Sequence, residues 1–162
     1  MPHLDRLLTW ALGLFLLSAG AAKFTTGHVF QYIEHRSGVD LFHPYVNHLT
    51  GTAEVVAGAL ILIPRTRLFG GLLASGVLVG AVGFHLSPWL GISIPTGLVD
   101  GAAAPWGAED FTTSTTSVTF VLAVVTAARA LRIVRTEVRQ RQHARAESST
   151  VDAATLAAGA VR

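Results

Sequence analysis

Four apolar runs, separated by polar segments, set the rhythm of the chain: 7–24, 49–63, 68–86 and 117–134. The first and third are about as long as a bilayer-crossing helix requires, roughly 20 residues. The second is shorter and is closed by Pro64. The fourth carries Arg129 and Arg132 in its last turns, where long basic side chains can reach toward lipid headgroups. The pattern predicts an all-α integral membrane protein, a four-helix bundle with spans at about these positions. A basic, then Ser- and Ala-rich cytoplasmic tail is expected over 135–162, helical through about 145 and mobile from 147 onward.

Small residues cluster where helices are expected to pack. The run Ser18-Ala19-Gly20-Ala21-Ala22 and the set Gly51, Ala53, Ala57 and Gly58 would let two backbones approach closely. The Gly76-x-x-x-Gly80 pattern in the third run is a packing device of the same kind. Thr50, Glu54 and Gly58, spaced by four, are expected to share one inward face. The 25–48 connection is long, with a short helix expected near 29–35, and a loop of this length often folds back on its bundle. The first run could be taken for a signal peptide, but its weakly basic start and the three runs that follow favour a retained helix.

Composition sharpens the picture. Hydrophobic residues make up 51% of the 162, and charged residues only 14%. Soluble domains carry about 25% charged residues, so the shortfall points to lipid. With both termini cytoplasmic, ten of the 12 basic residues fall on the inside, and only Lys23 and Arg36 lie outside. The tendency of cytoplasmic segments to carry positive charge therefore selects an N-in, C-in orientation in a cell membrane crossed several times. The basic tail suits anionic lipid or a cytoplasmic or membrane protein partner; nucleic acid is not the expected partner. Trp89 and Trp106 read as interfacial aromatics beside a second outer loop holding Asp100, Glu109 and Asp110.

The chemistry-bearing residues are few. Lys23, Glu54 and His85 each interrupt a different apolar run near the same expected membrane face. A carboxylate within the apolar layer costs about 2.5–3.5 kcal/mol on insertion scales unless partnered, so something must come to Glu54. Lys23 is close enough in expected depth to pair with it. A structural ion pair and a ligand or proton site both stay open as readings. Five of the seven histidines fall on the outer side, and His48 joins the three as a candidate ligand-binding residue. A bis-His haem between His48 and His85 is conceivable, but their spacing matches no metal motif, and haem or a metal ion is not expected. Cysteine is absent, which removes disulfides and thiol relays, so any redox role must use a bound cofactor or a partner protein. No phosphate-binding glycine loop or nucleophile elbow is present, which argues against standalone kinase or hydrolase chemistry.

The motifs Gly13-Leu14-Phe15-Leu16, Ala19-Gly20-Ala21-Ala22-Lys23-Phe24, Gly51-Thr52-Ala53-Glu54 and Ala81–Leu86 resemble those of the DoxX-like family. That family consists of small four-helix membrane proteins related to DoxD, a subunit of a thiosulfate:quinone oxidoreductase. The resemblance spans about 7–134. It implies the four-helix fold, and it implies a membrane subunit or accessory of a quinone-linked redox system with polar positions at Lys23, Glu54 and His85. A non-enzymatic scaffold and a small-molecule or proton carrier are the alternatives.

The orientation has a direct test. Reporter fusions at Gly107 and Glu147 are expected to report outside and inside respectively; both on one side would contradict the four-span topology.

Overall fold

The structure is a computed structural model describing residues 2–25, 28–95, 98–99, 102–103, 114–116 and 118–159. Of residues 2, 28, 31–32, 35–36, 93–95, 98–99, 102–103, 114–116, 118–119 and 151–159 only the backbone is described. Asp100, Trp106, Glu109 and Asp110 lie outside the described residues.

The chain is helical: α1 (Pro2–Ala22), α2 (His28–Ser37), a kinked helical turn (Phe42–Val46), α3 (Asn47–Leu62), α4 (Arg67–His85) and α5 (Val118–Gly159). Between α4 and α5 the backbone forms two short antiparallel pairs, 93–95 with 114–116 and 98–99 with 102–103. Helices α1 and α4 are long and apolar enough to cross a membrane. Helix α3 has 16 residues, about 24 Å at 1.5 Å per residue, short of the ~30 Å hydrocarbon layer.

The end of α3 follows from local chemistry. Pro64 cannot extend a helix and pushes the residue before it to extended backbone, and Ile63 has φ −90° and ψ 117°. The carbonyls left over at the helix end are then taken by the basic turn. The Thr66 hydroxyl donates to the Leu60 oxygen at 3.0 Å, and Arg67 Nε donates to the Ile61 oxygen at 3.1 Å. Arg65-Thr66-Arg67 is thus a cap as well as a charge signal.

Two glycine pairs bring α1 and α3 together, antiparallel and backbone to backbone. A Cβ at Gly58 would sit 2.6 Å from the Gly13 carbonyl oxygen, and one at Gly20 would sit 2.6 Å from that of Gly51. Lipid tails are as apolar as leucine, so helices associate in a bilayer by packing of this kind. The buried face of α3 comprises Asn47, Gly51, Glu54, Ala57, Gly58 and Ile61. Thr50 is only half-buried and returns its hydroxyl to the Val46 oxygen at 2.8 Å. The inward face is therefore the alternating three-and-four series, not the expected line of Thr50, Glu54 and Gly58. At the centre Leu12, Leu16, Ile61, Leu78, Ala130 and Ile133 close the core between α1, α3, α4 and α5.

Other expectations are corrected. A methyl added at Gly76 or Gly80 would meet no neighbouring helix within 4 Å among the described residues, so their pattern packs none of the described helices. Arg129 does not reach away from the bundle. Its guanidinium holds Asp5 Oδ1 and the Asp5 carbonyl at 2.5 Å and the Thr9 hydroxyl oxygen at 2.7 Å, fastening α5 to α1. The reason is geometric: Asp5 and Thr9 lie one turn apart on α1 and offer three oxygens to one planar donor fork. From 147 onward α5 continues as helix to Gly159. Arg141 lies 5.8 Å from the Phe69 ring, and Arg67 lies 3.9 Å from Glu137, so the first part of this extension rests on the start of α4.

The glycines divide into two testable classes. Gly58→Ala and Gly51→Ala should each destabilise the protein by about 1–3 kcal/mol, because the added methyl meets backbone. Gly80→Ala meets open space and should be neutral, or stabilise by up to about 1 kcal/mol through helix propensity. Thermal or denaturant unfolding in detergent checks this; equal effects at the two kinds of position would contradict the packing.

Candidate functional site

Lys23 follows the last residue of α1. The peptide N–H groups of Lys23, Phe24 and Thr25 bond back to the Gly20, Ala21 and Ala22 carbonyls, which holds this turn in place. Glu54 lies two turns into α3, on the glycine-lined face where α1 comes closest. Lys23 Nζ donates to Glu54 Oε1 at 2.6 Å. The glutamate is 5% exposed, while the lysine side chain keeps 25% of its surface. The ammonium also lies 5.8 Å from the centre of the Phe30 ring, an arrangement in which the ring face attracts the cation.

Asn47, absent from the sequence-based site, completes this polar end. It is 1% exposed and its Nδ2 donates to the Lys23 carbonyl at 2.6 Å. Its Oδ1 and Glu54 Oε2 are buried and have no hydrogen-bond donor among the described residues. The signal that would have found Asn47 is its spacing of seven from Glu54, which returns a helix nearly to the same face.

His85, the last residue of α4, is 5% exposed. Its Nδ1 donates to the Gly91 carbonyl at 3.0 Å. Gly91 has φ +77°, a conformation glycine adopts freely, and this turn carries its carbonyl back over α4. With Nδ1–H so engaged, Nε2 of the neutral ring is an acceptor. The ring meets Phe120 of α5 edge-on at 5.5 Å.

Lys23, Asn47, Glu54 and His85 line one cavity of about 300 Å³. Its other walls are largely apolar: Phe15 and Ala19 from α1, Leu78 and Phe84 from α4, and Leu122 and Ala123 from α5. Helix α2 folds back to cover it with Val29, Phe30 and Ile33. The cover is held by an aromatic cluster, Phe42 against Phe84 at 5.6 Å and Trp89 against both, and by Glu34, whose Oε2 accepts the His43 N–H at 2.8 Å. His48 lies elsewhere: it is exposed and stacks on Phe24 at 5.4 Å. The structure therefore brings Lys23, Glu54 and His85 together and leaves His48 outside their cavity. Among the described residues no three His, Asp or Glu side chains converge as a metal site would require.

A family profile described as methylamine utilisation protein MauE matches residues 1–93, more than half of the chain. The chain belongs to the MauE family. MauE is a membrane protein family related to the DoxX-like proteins that the helix motifs resemble. The MauE match contains α1 to α4, and with them Lys23, Asn47, Glu54 and His85, whereas α5 lies beyond it. No curated protein and no solved structure matches the chain.

A charge left without its partner in an apolar site costs more than the loss of both. Lys23→Met and Glu54→Gln should each lower stability in detergent by about 2–3 kcal/mol, and the double variant should lose less than the sum. Additive losses would show that the two residues do not act as a pair.

Proposed function

We propose that the protein is a multi-pass cell-membrane subunit or accessory of a quinone-linked redox system. In this reading the bundle has four spans with both termini inside, and its outer-layer cavity receives the ring of a quinone-type molecule. The observation that carries the reading is the cavity itself: apolar walls interrupted by Lys23, Glu54, Asn47 and His85. Binding sites for small amphipathic molecules have this composition, with few polar groups fixing orientation among many apolar ones. The Lys23 ammonium has donors beyond the one given to Glu54, and these suit a carbonyl or phenolic oxygen. The family's description supports the same direction, since methylamine utilisation is a redox-related process. With no cysteine in the chain, electrons would reside on the bound molecule or on a partner, not on thiols.

The basic extension of α5 favours a second role beside the first. Arg135, Arg139, Arg141 and Arg145 are carried on the extended α5 helix, where anionic headgroups or an acidic protein could meet them. A scaffold role would rest on that surface and leave the cavity unused.

Purification in mild detergent, followed by solvent extraction and mass analysis, tests the proposal. A quinone-type molecule is expected to co-purify, and His85→Ala should lower retention of its reduced form about 2–10-fold, the range for one lost hydrogen bond from a ring hydroxyl to Nε2. Failure to retain any quinone, with no binding of added decylubiquinone, would contradict the proposal; a stoichiometric protein partner alone would favour the scaffold.

A further inference from the structure

We infer that the cavity takes its ligand sideways from the lipid, between α1 and α5, and that this ligand carries an alkyl chain which leaves through the same opening. This rests on the quinone-type reading above and adds the route of entry and the chain. The helices pack in a ring: α1 on α3, α3 on α4 and α4 on α5, with α5 and α1 meeting least. Glycine closes each of the first three seams. Gly20 and Gly58 join α1 to α3 through backbone. A Cβ at Gly70 of α4 would sit 2.6 Å from the Ile61 peptide nitrogen of α3, and one at Gly71 would sit 3.1 Å from the Val134 side chain of α5. The fourth seam has no such device. Both glycines of α1 face α3, and α5 has no glycine before Gly159. Arg129 pins this seam at one end, on Asp5 and Thr9.

Exposure locates the mouth. Of the side chains that line the cavity, Ala22 and Leu122 alone are exposed, and they stand on α1 and α5. The others are buried or half-buried. The way out over α2 is shut by buried Ile33 and Leu90, with Phe42 and Phe84 packed against them. The mouth is also apolar. Beside it stand Ala19 and Thr126, and the Thr126 hydroxyl is given to the Leu122 and Ala123 carbonyls. In the four-span reading both flanking helices cross the bilayer, so the opening faces hydrocarbon. A chain lying there stays out of water and needs no polar partner. Size makes the same point: a cavity of about 300 Å³ is at the small end for ligand sites. It holds a substituted ring but not a long chain as well, so the chain has to leave.

The test separates occupancy from exchange. Full-length protein in lipid nanodiscs is loaded with deuterated decylubiquinone and then mixed with the unlabelled compound. Replacement of one by the other is followed by native mass spectrometry. Leu122→Trp and Ala22→Trp place bulk at the mouth on exposed positions and should slow exchange about tenfold or more. Val124→Trp adds the same bulk on the other side of α5, two residues or about 200° away, and should exchange as the native chain does. Unfolding temperature is recorded for each. If either tryptophan at the mouth prevents folding, Ala22→Leu replaces it, with a smaller slowing expected. Unchanged exchange in the folded mouth variants, or equal slowing in Val124→Trp, would overturn the inference and leave the quinone-type reading in place. Absence of bound decylubiquinone in the native chain would overturn both.

Discussion

A carboxylate inside an apolar helix bundle has to be met by a cation or a donor, and that demand organises this protein. Glu54 is met by Lys23, which stands one residue past the end of α1. The pair can form because glycine replaces side chains on both sides of it. Gly20 against Gly51 and Gly13 against Gly58 bring the two backbones close enough for a 2.6 Å ion pair. Packing and electrostatics are therefore one device: the glycines shorten the distance, and the ion pair offsets the cost of the buried charge. Arg129 repeats the logic at the other end of α1, where Asp5 and Thr9 receive it.

The same demand is met incompletely, and this is what turns a helix contact into a candidate site. Lys23 covers one oxygen of Glu54 and leaves the other buried with no donor among the described residues, as Asn47 Oδ1 is. Around them, α2 and the turn after α4 close an apolar chamber with His85 at its edge. A structure made only to join two helices would gain by filling that space. The combination of unfilled apolar volume and unsatisfied acceptors is the physical basis for assigning a ligand to it.

Much of this was legible in the chain, for identifiable reasons. A polar residue that interrupts an apolar run is visible without any structure, so Lys23, Glu54 and His85 stood out and their common level followed from counting residues. Helix boundaries at Pro64 and the covering role of 25–48 were legible from local stereochemistry and length. Facing was not. Steps of four drift about 40° each around a helix, whereas alternating steps of three and four hold one face. The Thr50, Glu54, Gly58 line thus missed Asn47 and Gly51, which the structure buries. Asparagine before an apolar run also looks like ordinary loop chemistry, so its burial could not be seen. His48 was included because it sits at a helix end like His85. It has no glycine turn to hold it inward, and stacks on Phe24 instead. Partners far apart in sequence, such as Arg129 and Asp5, depend on how α5 lies against α1, which no local pattern encodes.

The central claim is that Lys23 and Glu54 are in direct contact in the membrane. Lys23 is the only lysine of the chain, so lysine labelled at its side-chain nitrogen reports this one site. Solid-state dipolar recoupling between that nitrogen and labelled glutamate carboxyl carbons, in lipid bilayers, measures the contact directly. Strong dephasing that disappears in Glu54→Gln is the predicted result. Absence of dephasing in the native chain, or dephasing that survives Glu54→Gln, would contradict the account.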